Sequence, residues 1–228
     1  MNQLTAPAST RAAQAFSTHV PSDGRIPLAK RALDVALSGV GLCLSSPLWA
    51  LLAALIKLED GGPVFYSQPR VGESGRVFRV WKFRSMIPDA EKYVGAVQAT
   101  ENDPRVTRIG RLMRATAMDE LPQLWNIFVG DMSFVGPRAL RPGEIEVLGN
   151  GTMEALEDVP GYAERCRVRP GLTGVAQIHA PRDITRRHKF RYDRLYIRKQ
   201  SFWLDVRLIA LSFWITFRGK WEDRAGKL

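Results

Sequence analysis

The chain has 228 residues, a formal net charge of +10 and two cysteines, Cys43 and Cys166. That length suits one domain with a modest core, and two distant cysteines without a CxxC pair or a Cys/His cluster argue against a disulfide framework or a structural zinc site, in keeping with a reducing compartment. The charge calls for an anionic partner: nucleic acid, anionic lipid or a phosphorylated substrate, among which charge alone does not choose.

In chain order, residues 1–27 are rich in Ala, Ser, Thr and Pro and read as a flexible tail. They are not a signal peptide, because the apolar segment starts too late and no clean cleavage site follows it. Val35 to Ile56 carries no charge over 22 residues, about 33 Å as a helix and enough to cross a bilayer core. Ser45-Ser46-Pro47 interrupts it, since proline removes a helical hydrogen bond. Both flanks are basic, with Arg25, Lys30 and Arg31 before it and Lys57, Arg70, Arg76, Arg79, Lys82 and Arg84 after it. Positive residues favour the cytoplasmic side, so residues 28–60 are expected to form a helix–break–helix that dips into the membrane and returns, with Ser46 helping satisfy the backbone groups freed by Pro47. A kinked span and a buried core helix are the alternatives.

Gly61-Gly62-Pro63 ends the helix. Val64–Gln68 and Val77–Arg84 read as strands joined through Gly72–Gly75, a hairpin whose one face carries Lys82 and Arg84. Pro88–Glu101 reads as a surface helix, Val106–Arg114 as a short basic helix, and Gln123–Val129 as a helix that the preceding acid pair opens and Gly130 stops. Pro142–Leu156 reads as acidic and helical with a break at Gly149-Asn150-Gly151, and Arg186–Gln200 as a basic helix. Ser201–Phe217 sets Asp205, Ser212 and Thr216 on one helical face, and the rest is apolar and aromatic, with Phe202, Trp203, Phe213, Trp214 and Phe217. Such a helix can lie in the membrane plane or serve as a core helix, and it could also pair with a second copy of the chain. The organisation expected is therefore a tail (1–27), a membrane helix (28–60), a catalytic domain (61–200), an interfacial helix (201–218) and a short tail (219–228). The fold class is α+β, mostly helical, with a short β-hairpin.

The chemistry points to Asp119-Glu120. These adjacent carboxylates follow Arg105, Arg108, Arg111 and Arg114 and precede the run Gly130–Arg138. Acids in a basic setting can hold a metal or attack phosphorus while guanidiniums hold phosphate oxygens. Neighbours on a continuous helix project about 100° apart, so the pair can converge only at a helix start or a break, and Pro122 marks such a start. The plainer alternative is a capping box, Thr116-x-x-Asp119, in which the acids merely suit the positive end of a helix. There is no Walker-type phosphate loop, no strand-linked Gly-x-Gly-x-x-Gly, no Gly-x-Ser-x-Gly elbow and no nucleic-acid module, so nucleic acid is not the expected partner. His19, His179 and His188 lack metal-ligand spacing.

Several motifs stand in order: Lys30-Arg31-x-x-Asp34, Ser46-Pro47, Gly62–Gln68, Lys82-Phe83-Arg84-Ser85-Met86, Asp119–Gln123, Gly130–Arg138 and Arg169–Gly174. With them the chain resembles, from Lys30 to about Phe217, the bacterial sugar transferases, or monotopic phosphoglycosyl transferases, of surface-glycan assembly, and among these the short members that lack extra membrane helices. The resemblance implies transfer of a sugar 1-phosphate from a nucleotide-diphosphate sugar, usually UDP-linked, to a polyprenyl phosphate, usually undecaprenyl phosphate. It makes Asp119 the nucleophile of a phosphosugar–enzyme intermediate, with Mg2+ at Asp119 and Glu120. It implies a catalytic domain on the cytoplasmic face of the bacterial inner membrane, where the basic charge of the chain suits anionic lipid. Arg114, Arg138 and Arg169 are the first candidates to grip phosphate, with Lys82 and Arg84 behind them, and Pro137-Arg138 is similar to the family's nucleotide-contacting motif. The family usually has Pro-Arg-Pro where this chain has Pro137-Arg138-Ala139, a departure that bears on nucleotide affinity or selectivity. The other class of function is an inactive membrane scaffold or regulator of glycan assembly.

Overall fold

A computed structural model describes residues 27–90, 103–149, 151–181 and 184–218. The expected tails (except Pro27) and most of the helix expected over Pro88–Glu101 lie outside these residues; Pro88 to Ala90, inside them, form a turn.

Helix α1, Leu28–Asp60, is one 33-residue helix with Pro47 inside it, where the sequence suggested a helix, a break and a second helix. Proline at 47 leaves the carbonyl of Cys43 without its usual partner four residues on, and Ser46 Oγ donates to that carbonyl at 2.8 Å. Gly61 closes the helix in a left-handed cap, its N–H donating to Lys57 O at 3.0 Å. Burial along α1 is confined to its ends: Lys30, Asp34 and Ser38 on one side, Leu52 and Ile56 on the other.

The sequence reason lies in the partners. Lys30 Nζ donates to Asp205 (2.7 Å), Tyr196 OH (3.2 Å) and Val135 O (3.0 Å). Asp34 accepts from the Phe134 N–H (3.0 Å) and Ser133 Oγ (3.1 Å). At the far end Glu59 accepts the Arg108 and Ile109 N–H groups at 2.6 and 3.1 Å, and Asp60 pairs with Arg84. Both ends of one apolar helix are thus tied by charge to the same body.

Strands β1 (Phe65–Val71) and β2 (Val77–Phe83) form an antiparallel hairpin in the register Phe65↔Phe83 to Val71↔Val77. Its face is as expected for Lys82. Arg84 lies beyond the strand and turns to Asp60. Helix α2, Arg108–Ala115, is capped by Thr107, whose Oγ1 accepts the Gly110 N–H at 2.9 Å. A 3-10 turn, Met118–Glu120, precedes helix α3, Gln123–Val129, so the acid pair sits in its own turn and does not open α3.

Strand β3 (Ser133–Val135) follows, then β4 (Ile145–Val147) and β5 (Met153–Ala155), an antiparallel pair. This replaces the helix expected over Pro142–Leu156: Ile145, Val147 and Met153 alternate with Glu146 and Glu154, a period of two that the acidic composition obscured. Helix α4 (Tyr162–Arg165), strand β6 (Gly171–Thr173, parallel to β3), helix α5 (Val175–His179), helix α6 (Arg186–Lys199) and helix α7 (Phe202–Phe217) complete the chain.

The main core joins Phe78 and Val80 of β2, Ile127 of α3, Val135 of β3 and Leu208 and Ile215 of α7. A second cluster packs Val71, Leu140, Leu156, Tyr162 and Phe190; a third packs Leu52 and Ile56 of α1 on Phe83 and Met113. Helix α7 turns Asp205 inward to Lys30 and leaves Phe202, Trp203, Phe213, Trp214 and Phe217 exposed.

Candidate active site

Ala117 adopts φ +55°, a left-handed conformation unusual for alanine. This kink after α2 aims Asp119 into the protein, where it is 9% exposed. Thr116 Oγ1 donates back to Leu112 O (2.8 Å) and Met113 O (3.2 Å) at the end of α2. The N-cap of the turn that holds the acid pair is Ala117, with no side-chain cap hydrogen bond, which does not match the capping-box alternative.

Glu120, next in the turn, forms an ion pair with Lys82 of β2 and accepts from the Gln123 side chain. What brings strand and turn together is Asn126, 2% exposed. Its Nδ2 donates to Arg79 O at 2.8 Å and its Oδ1 accepts the Trp81 N–H at 3.1 Å. Helix α3 is in this way bonded along the free edge of β2, one residue from Lys82. Such a side chain satisfying strand backbone has no local sequence signal.

The two carboxyls titrate apart. Burial pushes Asp119 above its ordinary value of 3.8, with Lys82 and Arg114 opposing and Glu120 adding to the rise. Burial also acts on Glu120, but Lys82, Arg138 and the hydrogen bonds outweigh it and hold the group below the usual range. Neighbouring acids with opposed shifts are a common sign of chemistry.

A cleft opens beside the pair, lined by Arg70, Lys82, Glu120, Gln123, Arg138 and Leu172. Of the candidates, Glu120, Lys82 and Arg138 line this cleft, and Asp119 and Arg114 lie close enough for Asp119 to feel the charges of Lys82, Glu120 and Arg114. Pro137 is buried beneath, its carbonyl accepting the Gly171 N–H at 2.9 Å. Arg84 is turned away: its guanidinium bonds to Asp60, Pro63 O (2.5 Å) and Met86 O (2.9 Å). Arg169 points to Glu73 (3.3 Å), with Nη1 buried beside Gly130. Ser46 and Pro47 lie in the exposed middle of α1, apart from this cluster.

Two motifs meet under Arg138. A Cβ on Gly136 would lie 2.3 Å from Arg169 O, and one on Gly171 would lie 2.1 Å from Gly136 N, so these backbones touch only because both residues are glycine. Arg165, unremarked in the sequence, fixes the loop from behind: its Nη2 donates to Arg138 O at 2.5 Å, its Nε pairs with Asp193 at 3.1 Å, and its guanidinium lies 4.7 Å from the Phe190 ring centre. Arg70, counted only as a basic flank in the sequence, also lines the cleft.

The donor set fits magnesium. That ion is commonly held by one or two carboxylates and completed by water and substrate phosphates, and Asp119 and Glu120 supply two. Among the described residues no group of three or more His, Cys, Asp or Glu could hold a metal alone.

The bacterial sugar transferase family matches residues 26–219. An undecaprenyl-phosphate glucose phosphotransferase of Komagataeibacter xylinus is 45% identical over 190 residues, 81% of this chain and 35% of that protein. A UDP-glucose:undecaprenyl-phosphate glucose-1-phosphate transferase of Escherichia coli (strain K12) is 39% identical over 206 residues, 88% of this chain and 42% of that protein. The chain therefore spans less than half the length of these two. The exopolysaccharide production protein ExoY of Rhizobium meliloti is 37% identical over 196 residues, 80% of this chain and 82% of that protein. With the match running from the start of α1 to the end of α7, the chain belongs to the bacterial sugar transferase family.

Proposed function

We propose that this protein transfers a sugar 1-phosphate from a UDP-sugar to undecaprenyl phosphate, through a covalent intermediate on Asp119, as the first membrane step of surface-polysaccharide assembly. The observation that carries the reading is the buried Asp119 beside a Glu120 that is ion-paired to Lys82, at a cleft richer in cations than in acids. The names of two relatives support it: one is an undecaprenyl-phosphate glucose phosphotransferase, and the other names UDP-glucose with undecaprenyl phosphate.

The chemistry follows from the site. An Asp119 carboxylate oxygen attacks the phosphorus that bears the sugar. The bond from that phosphorus to the nucleotide phosphate breaks, and UMP leaves with the electron pair. A phosphate oxygen of the polyprenyl acceptor then attacks the same phosphorus, and the carboxylate departs unchanged. Splitting the transfer into two displacements is the benefit of a covalent route. Lys82 and Arg114 favour the anionic, nucleophilic form of Asp119 against its burial. Arg138 and Lys82 offer charge to the phosphate oxygens. Magnesium, held by Asp119 and Glu120, would supply neutralisation of the diphosphate charge.

The same reading places α1 as a re-entrant helix bent at Ser46-Pro47, with the domain on the cytoplasmic face of the inner membrane. It is supported by the attachment of both ends of α1 to one body and by the exposed, apolar middle between them. Helix α1 is also the one helix among the described residues long and apolar enough to cross a membrane. The exposed aromatics of α7 suit the headgroup boundary against anionic lipid. Reporter tags at both termini labelled on opposite sides would overturn the re-entrant placement.

The test of the reaction is a panel of UDP-sugars with undecaprenyl phosphate and magnesium. UMP release is expected. UDP release would mean a glycosyl transfer instead, and no release from any sugar would favour the scaffold reading.

A further inference from the structure

Arg70 is held in the cleft by neutral groups. Its Nη2 donates to Gln68 Oε1 at 2.6 Å and its Nη1 to Ala139 O at 3.2 Å. Gln68 is itself buried and fixed by its Nε2 donating to Tyr66 OH at 3.1 Å. Tyr66, Gln68 and Arg70 alternate along β1 and so share one face of the hairpin, opposite Lys82, Val80 and Phe78. That face looks onto the cleft that Arg70 lines with Lys82, Glu120 and Arg138. Burial and the repulsion of Arg138 and Arg141 pull Arg70 down to about 10. A preorganised cation beside other cations, with neutral hydrogen-bond partners, is built to receive an anion.

We propose that Arg70 is a substrate-binding residue that grips the diphosphate of the nucleotide-sugar donor, and not the phosphate of the lipid acceptor. This rests on the transferase reading above. The choice between the two phosphates comes from the hairpin's orientation. Its Phe65–Phe83 end packs on Trp49 in the middle of α1, with ring centres 5.9 and 5.4 Å from that of Trp49. Lys82 lies one residue from that end. Arg70 is five residues along β1 from Phe65, about 17 Å from that end in an extended strand, beside the Pro137–Ala139 loop. The lipid phosphate approaches from the apolar helix, and the water-soluble donor fills the distal part of the cleft. Arg70 also ties its own position to residue 139 through the Ala139 carbonyl, so the donor-side guanidinium is braced by the loop that carries Arg138.

The test uses the full chain in nanodiscs. UDP binding is measured by calorimetry with magnesium present, and KM is measured separately for the UDP-sugar and for undecaprenyl phosphate. For Arg70→Gln, UDP affinity is expected to fall about 10- to 100-fold, the size of a lost charge-assisted bond to phosphate. The donor KM should rise in parallel and the acceptor KM should stay within about twofold. Arg70→Lys keeps the charge but not the fork, and should recover part of the affinity; it carries the test if the glutamine variant does not fold. Wild-type UDP affinity in both variants would overturn the proposal, as would a loss confined to the acceptor KM. A wild-type chain that binds no UDP and releases no UMP would overturn the transferase reading together with the proposal. Normal turnover by the wild-type chain, beside variants whose UDP affinity is unchanged, would overturn the role of Arg70 alone.

Discussion

Lys82 and Glu120 lie 38 positions apart and form an ion pair that joins strand β2 to the turn carrying the candidate nucleophile. Both side chains are about a quarter exposed, at 23% and 24%, so the pair can still open to a substrate. Lys82 also favours the charged form of Asp119.

Removing Lys82 should therefore move the pH profile in a defined direction. Asp119 must be deprotonated to attack, and its carboxyl already titrates above 3.8. Activity should thus be lost on acidification earlier than for an ordinary aspartate. In Lys82→Met the carboxyl rises further, so the acid limb of kcat should shift to higher pH, with kcat falling about 10- to 1000-fold at neutral pH. Lys82→Arg should restore much of the wild-type limb. UMP release followed across pH checks this, and an unmoved acid limb in Lys82→Met would refute it.

Asp119→Asn should abolish turnover without weakening the fold. A carboxyl whose folded-state pKa is raised contributes stability only while protonated, and that contribution disappears as pH rises through the folded value. At neutral pH the buried charge is a cost, and the amide removes it. Melting at neutral pH should be unchanged or higher, with UMP release at background. Retained turnover in this variant would remove Asp119 from the chemistry.

Lys30 and Asp205, 7% and 2% exposed, tie α1 to α7. Lys30→Met alone should cost about 3–5 kcal/mol, because Asp205 is left charged and buried. Combining it with Asp205→Leu should recover most of that loss, since a buried pair replaced by apolar groups is often nearly neutral. Chemical denaturation of the single and double variants measures the coupling. Additive losses would mean the pair is not the attachment.

Gly136→Ala should cost about 1–3 kcal/mol, as overpacking does, and lower activity, because its Cβ meets the Arg169 backbone and must displace the loop bearing Arg138. Gly149→Ala, with nothing within 4 Å of the added carbon, is the control and should leave melting and UMP release unchanged.

The hairpin of β1 and β2 was legible because strand residues bounded by glycine turns carry their own signal, and α6 and α7 were legible from composition and length. The helix expected at Pro142–Leu156 failed because two three-residue strands are too short to announce a period. Arg84 was expected to share a cationic face with Lys82. Its distance from the site follows from Asp60, a partner 24 positions back that no local pattern points to. The position of Arg70 on the same face of the hairpin as Lys82, four residues along from it, depends on the register in which β1 and β2 pair.

By itself the sequence determined the acid pair, the cations around it, the apolar helix with its proline and the ordered motifs, because these are properties of residue type and spacing along the chain. Only the tertiary structure decided which cations reach the acids, that Asp119 is buried while Glu120 is paired, and that Gly136 and Gly171 touch. Those outcomes depend on burial and on contacts between residues far apart in the chain, and the energy of a charge is set by what surrounds it in space.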